Sequence, residues 1–98
     1  MSLSLEQLFT RFQAAVRDGD ATAFAKLSAR DVGPQIQRFR SNSEKVRQGK
    51  WALSLSRIEH EGQLATVFFE VRDNGGTVLD VGSLVASEEP EGWRIRSL

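Results

Sequence analysis

The chain of 98 residues has no cysteine, which excludes disulfides, thiolate metal sites and cysteine nucleophiles. It has no excess of either charge, since thirteen basic residues balance thirteen acidic ones. The long-range positive field that draws a protein to nucleic acid or anionic lipid is therefore missing, and no nucleic-acid partner is expected. No apolar run approaches the roughly 20 residues of a membrane span, so no membrane span is expected. The opening Met1-Ser2-Leu3-Ser4-Leu5-Glu6 reads as the start of a helix and not as a signal peptide. The chain as given is expected to be cytoplasmic, or exported if a signal was trimmed from it. There is one histidine, His60, in a turn between two glutamates, where a surface role is expected in place of a metal or a base. Asn74-Gly75-Gly76 joins two strand patterns, whereas a phosphate loop would precede a helix. No catalytic residue, no metal and no cofactor are expected.

What is present is an order of patterns. Leu5, Leu8, Phe9, Phe12 and Val16 follow helical spacing, with Glu6, Thr10, Arg11, Gln13 and Arg17 on the other side. Ser4 and Gln7 fit a capping box, Gly19 a left-handed stop and Asp20 a new N-cap. A second helix carries Phe24 and Leu27 and is expected to end near Asp31-Val32-Gly33. Pro34 suits the first turn of a third helix bearing Ile36, Phe39 and Val46, with Ser41-Asn42-Ser43 a candidate break.

From Lys50 onward the period becomes that of strands. Trp51, Leu53 and Leu55 alternate, and Ile58 falls out of phase, which predicts a bulge near Ser56 or Arg57. His60-Glu61-Gly62-Gln63 reads as a hairpin turn, followed by Ala65, Val67, Phe69 and Val71 on the apolar face. At Asp73-Asn74-Gly75-Gly76-Thr77 a three-residue loop pairs Asp73 with Thr77 and sets Val71 opposite Leu79, Phe69 opposite Val81, Val67 opposite Ser83 and Ala65 opposite Val85. Glu88–Gly92 is the last turn, and Trp93 and Ile95 face inward. The fold class is α+β: N-terminal helices packed on a curved four-stranded antiparallel sheet. It forms a single domain over 1–98, with helices over about 4–48 and sheet over about 50–98.

Arg11-Phe12-Gln13-Ala14-Ala15-Val16-Arg17-Asp18-Gly19-Asp20 with Phe24 and Leu27, then Ala65–Val71, then Gly92-Trp93-Arg94-Ile95, resemble the nuclear transport factor 2-like superfamily. This is the cystatin-like cone that also includes ketosteroid isomerase-like and SnoaL-like proteins. The short length resembles its compact lumazine-binding-like members. The resemblance implies a pocket between helices and sheet, and pairing through the outer sheet face. It gives no catalytic residue, because those isomerases place a carboxylate base beside a tyrosine-containing oxyanion site and this chain has no tyrosine.

In such a cone the ligand-binding candidates are Phe12, Phe39, Trp51, Phe69 and Trp93, with Arg40 reaching over the rim, unless these aromatics simply fill the core. At 100° per residue Arg38 and Lys45 fall on one side of the third helix and Arg40 and Arg47 nearly opposite, so no single basic stripe forms. In the chosen register Phe68, Glu70, Asp80, Leu84 and Arg96 share the outer face and are the dimer-face candidates. A register wrong by one residue would bring Asp80 into the pocket. The expected function is a noncatalytic small-ligand-binding or protein-interaction domain, homodimeric, with a small apolar or weakly acidic ligand. The alternatives are an isomerase-like enzyme with an acid in the pocket and an accessory domain with a filled core.

Overall fold

A computed structural model describes residues 3–29 and 33–98. Three helices, α1 (Leu5–Asp18), α2 (Ala21–Lys26) and α3 (Gly33–Gly49), precede four strands, β1 (Ala52–Glu61), β2 (Leu64–Arg72), β3 (Val78–Glu89) and β4 (Gly92–Ser97). The strands form one antiparallel sheet in the order β1-β2-β3-β4, the meander expected from the sequence.

The caps follow the sequence. Gln7 N–H donates to Ser4 Oγ (3.1 Å) and Ser4 N–H to Gln7 Oε1 (2.9 Å), closing the capping box of α1. Gly19 adopts φ +66°, where a side chain would be strained, and Asp20 Oδ1 accepts from Ala23 N–H to start α2. That helix ends at Lys26, earlier than expected, and Asp31 and Val32 lie outside the described residues.

The anticipated break at Ser41-Asn42-Ser43 does not occur. α3 runs unbroken because Ser43 Oγ donates to the Val16 carbonyl near the end of α1 (2.7 Å), leaving its own backbone helical. Ser43 thus fills the buried slot between Phe39 and Val46, and the seam Ile36, Phe39, Ser43, Val46 seats α3 on the other helices.

The sheet's bulges decide which side chains face the helices. In β1, Leu55 pairs with Phe69 and Arg57 with Phe68, so Ser56 is the extra residue that returns Ile58 to the inner face, as its phase required. After β2 the three-residue loop forms as expected: Asp73 N–H donates to the Thr77 carbonyl, Asp73 Oδ1 accepts from Gly75 and Thr77 N–H, and Gly76 takes φ +86°. Arg72 then pairs with Val78, in the expected register.

The next pair corrects the reading. Val71 lies opposite Asp80 and not Leu79, and from there Phe69 pairs with Gly82, Val67 with Leu84 and Ala65 with Ala86. Leu79 is the bulged residue. β3 is apolar on both faces, so alternation alone could not reveal this one-residue shift. The packing shows what it achieves: a Cβ at position 82 would stand 2.7 Å from the Phe69 ring, itself wedged beside Phe9 and Phe12 at centroid distances of 5.8 and 5.9 Å. Opposite Phe69 the fold takes the residue without a side chain.

The core runs from α1 and α2 to the inner sheet face, through Leu8, Phe24, Val67, Leu84, Ala86 and Ile95. The free edge of β4 is closed by the chain itself: Ile95 N–H donates to the Leu27 carbonyl, Ala29 N–H to the Ile95 carbonyl, and Trp93 N–H to the Leu3 carbonyl.

Candidate functional site

α3 packs mainly on α1 and α2 and stands away from the end of the sheet where β2 turns into β3. A cavity of about 220 Å³ opens between them. Its apolar wall comes from Phe12 and Val16 of α1, Trp51 and Leu53 at the start of β1, and Phe69 and Val71 of β2. Its polar rim comes from Arg38, Asn42 and Lys45, which share one flank of α3 at i, i+4 and i+7, and from the Asp80–Ser83 stretch of β3, in which Val81 and Gly82 also border the cavity. Leu98 folds across the mouth: its N–H donates to Gln35 Oε1 (3.1 Å), and its carbonyl oxygen accepts from Arg38 Nη1 (3.1 Å).

The six residues expected to line a pocket divide evenly. Phe12, Trp51 and Phe69 come together on the cavity. Phe39 does not reach it; it is 1 % exposed and stacks on Phe24, with ring centroids 4.5 Å apart and planes 14° from parallel. Arg40 lies on the opposite flank of α3, beside an open groove that Phe39 also borders, together with Gly19, Ser43, Glu44, Arg47 and Gln48. Trp93 is at the far end of the sheet, edge-on to His60 at 6.0 Å.

Arg38 and Lys45 are the cations that face the cavity. Their common side of α3 was readable from helical spacing. Which side faces the sheet depends on how α3 is rotated, and the seam of Ile36, Phe39, Ser43 and Val46 fixes that rotation against α1 and α2.

The five outer-face candidates are also rearranged. Phe68 stays outside, with the Arg57 guanidinium 4.1 Å from its ring centroid. Glu70 is outside too, ion-paired to Arg72 at 2.5 Å, and faces Val81. Arg96 reaches toward Ser87 Oγ at 3.5 Å. Leu84 is not on that face but in the core, at 1 % exposure. Asp80 is not opposite Glu70 but on the helix side of the sheet, at the cavity rim. The shift puts Val81 outside in their place, 70 % exposed, beside the less exposed Val78.

Asp80 is exposed, and one of its carboxylate oxygens accepts from Val81 N–H at 2.8 Å. Among the described residues no group of three histidine, aspartate or glutamate side chains is placed to hold a metal ion, and no helix is long and apolar enough to cross a membrane.

No protein-family model and no curated protein sequence matches this chain. Solved structures do. A provisionally named NTF2-like transpeptidase from Campylobacter jejuni superposes with a TM-score of 0.73 at 14% identity, over 95% of this chain and 97% of its own. The chain has the NTF2-like fold.

A provisionally named calcium/calmodulin-dependent protein kinase type II association domain from Thiobacillus denitrificans superposes on the same fold with a TM-score of 0.74 at 13% identity, over 97% of this chain and 91% of its own. A provisionally named dehydratase from Streptomyces avermitilis, of the NTF2-like family, gives 0.60 at 18% identity, over 96% and 89%. The names differ while the NTF2-like fold is shared, so activity has to be argued from this chain's own residues.

Proposed function

We propose that the protein is a noncatalytic small-ligand-binding domain that works as a homodimer. The observation that carries the binding reading is the cavity itself: aromatic and aliphatic side chains on one wall, two cations and a carboxylate on the rim. Such a combination holds the body of a small molecule and fixes its orientation. At about 220 Å³ it falls below the roughly 300–1,000 Å³ of drug-sized sites, which favours a compact ligand.

The homodimer reading is supported by the outer face, where Val81, opposite Glu70, and Val78, opposite Arg72, are exposed on the same side of the sheet as Phe68. A second copy laid on this face would remove that apolar area from water, with Glu70, Arg72 and Arg96 at the rim.

Native mass spectrometry of gently purified protein, wild type and Val81→Glu, tests both parts. The expected wild-type species is twice the chain mass plus a discrete small mass. The variant is expected as a monomer that keeps its helix and sheet content; the ligand is read on the wild type, because Val81 also borders the cavity. A bare wild-type monomer overturns both parts, and a dimeric Val81→Glu protein removes the proposed face.

One observation favours a second reading. Asp80 sits where an acid or base acting on a bound molecule would stand, and one structural neighbour is called a dehydratase. If turnover of any cavity ligand is found, Asp80→Asn is expected to abolish it under this reading and to leave it intact if Asp80 only binds.

A further inference from the structure

The three charged groups on the cavity rim are not used up by one another. Arg38, Lys45 and Asp80 line one cavity, yet no ion pair joins Asp80 to either cation. Arg38 spends one of its five donors on the Leu98 carbonyl, and Asp80 accepts from its neighbour's backbone N–H. Opposite charges near an apolar cavity and free of each other offer two separate points of recognition, one for an anion on the α3 side and one for a donor or cation on the β3 side.

From this we infer that the ligand is a compact aromatic or branched-chain zwitterion of the amino-acid type. Its carboxylate takes Arg38 and Lys45, its ammonium takes Asp80, and its apolar side group lies against Phe69 and Trp51. The inference rests on the binding-domain reading above and narrows it. Arg38 suits the carboxylate because its planar fork can hold two oxygens while Lys45 adds a point charge. An acid lacking the ammonium would leave Asp80 unpaired beside its own carboxylate, and an amine lacking the carboxylate would add a third positive charge next to the two cations. Each singly charged analogue loses one of the two attractions, so the site discriminates by charge pattern as well as by shape.

Leu98 takes part in this scheme. Its carbonyl oxygen occupies the donor of Arg38 that a carboxylate would seek, and its side chain packs beside the core at the mouth. Binding is expected to move the backbone of Leu98 together with Arg38.

The test is a titration of the 15N-labelled full chain with three probes of equal aromatic body: L-phenylalanine, 3-phenylpropionate and phenethylamine. L-Phenylalanine is expected to shift the backbone signals of Asp80, Lys45 and Leu98 and the Trp51 indole signal together. It should bind about tenfold or more tighter than either analogue, the worth of one charge-assisted hydrogen bond. Asp80→Asn, at an exposed position that leaves the core intact, should bring phenylalanine down to the level of phenylpropionate, and Lys45→Gln should weaken the two carboxylates but not the amine.

Phenylpropionate binding as tightly as phenylalanine, or an Asp80→Asn protein with unchanged affinity for phenylalanine, overturns the zwitterion inference while the cavity remains a binding site. No cavity shift with any of the three also overturns it. The binding-domain reading falls as well only if the gently purified protein carries no added mass.

Discussion

Replacing Leu84 by alanine is expected to cost about 2–5 kcal/mol of stability, whereas Val81→Ala should cost less than about 0.5 kcal/mol. The two residues lie three apart on one strand and differ by a single CH₂ group, so the contrast comes from position. Leu84 is opposite Val67 in the core, both side chains essentially inaccessible, and truncation leaves a cavity in a close-packed interior that relaxes only partly. Val81 projects from the outer face, and most of its surface is already in water within the single chain. Urea denaturation of the two variants under conditions where the wild type is monomeric reads the difference directly. Equal costs, or a larger cost at Val81, would mean that the bulge at Leu79 is absent and that Asp80 belongs to the outer face.

The second large effect is at Phe39. Phe39→Ala is expected to lose about 3–5 kcal/mol, because it removes one ring of the parallel stack with Phe24 at the junction of the helices. Phe39→Leu keeps most of the volume and should cost about 1.5 kcal/mol or less, folding with its ligand affinity unchanged. Trp51→Leu is the complementary case: that side chain is half-buried on the cavity wall, so ligand affinity should fall more than stability. Thermal denaturation paired with binding measurements on the three variants separates core from wall. A Phe39→Leu protein that folds normally but loses ligand would place Phe39 on the site after all.

How far the sequence could be read follows from where its patterns are one-sided. α1 has a single apolar stripe, and its caps and buried residues are those the spacing implies. β1 has an inner face that goes out of phase once, at Ile58, so its bulge could be located to within a residue. The Asp73–Thr77 loop was legible because aspartate and glycine stand where its hydrogen bonds and positive φ require them. β3 is different: Val78, Leu79, Val81, Leu84 and Val85 put apolar residues on both faces. Nothing local distinguishes two registers, and the choice is made by the fit of the Phe69 ring over Gly82, a contact between strands.

The site inherited that ambiguity. Phe12, Trp51 and Phe69 could be assigned to the cavity because each lies on an unambiguous inner stripe. Asp80 could not, since its face depends on the Leu79 bulge. Arg38 and Lys45 could be paired with each other but not aimed, because the rotation of α3 is fixed by its contacts with α1 and α2, among them the hydrogen bond from Ser43 to the Val16 carbonyl, between residues 27 positions apart. Side-chain periodicity reports a residue's own element. Where two elements meet, the deciding contacts are nonlocal.

The most direct test of the account is a crystal structure of the protein purified gently and without added ligand. The account predicts a compact molecule bound between α3 and β3, its polar groups within hydrogen-bonding distance of Arg38 or Lys45 and of Asp80, with Phe69 packed over Gly82. A dry gap closed by Leu98 and the aromatic side chains, with Asp80 turned to the outer face beside Glu70, would contradict it.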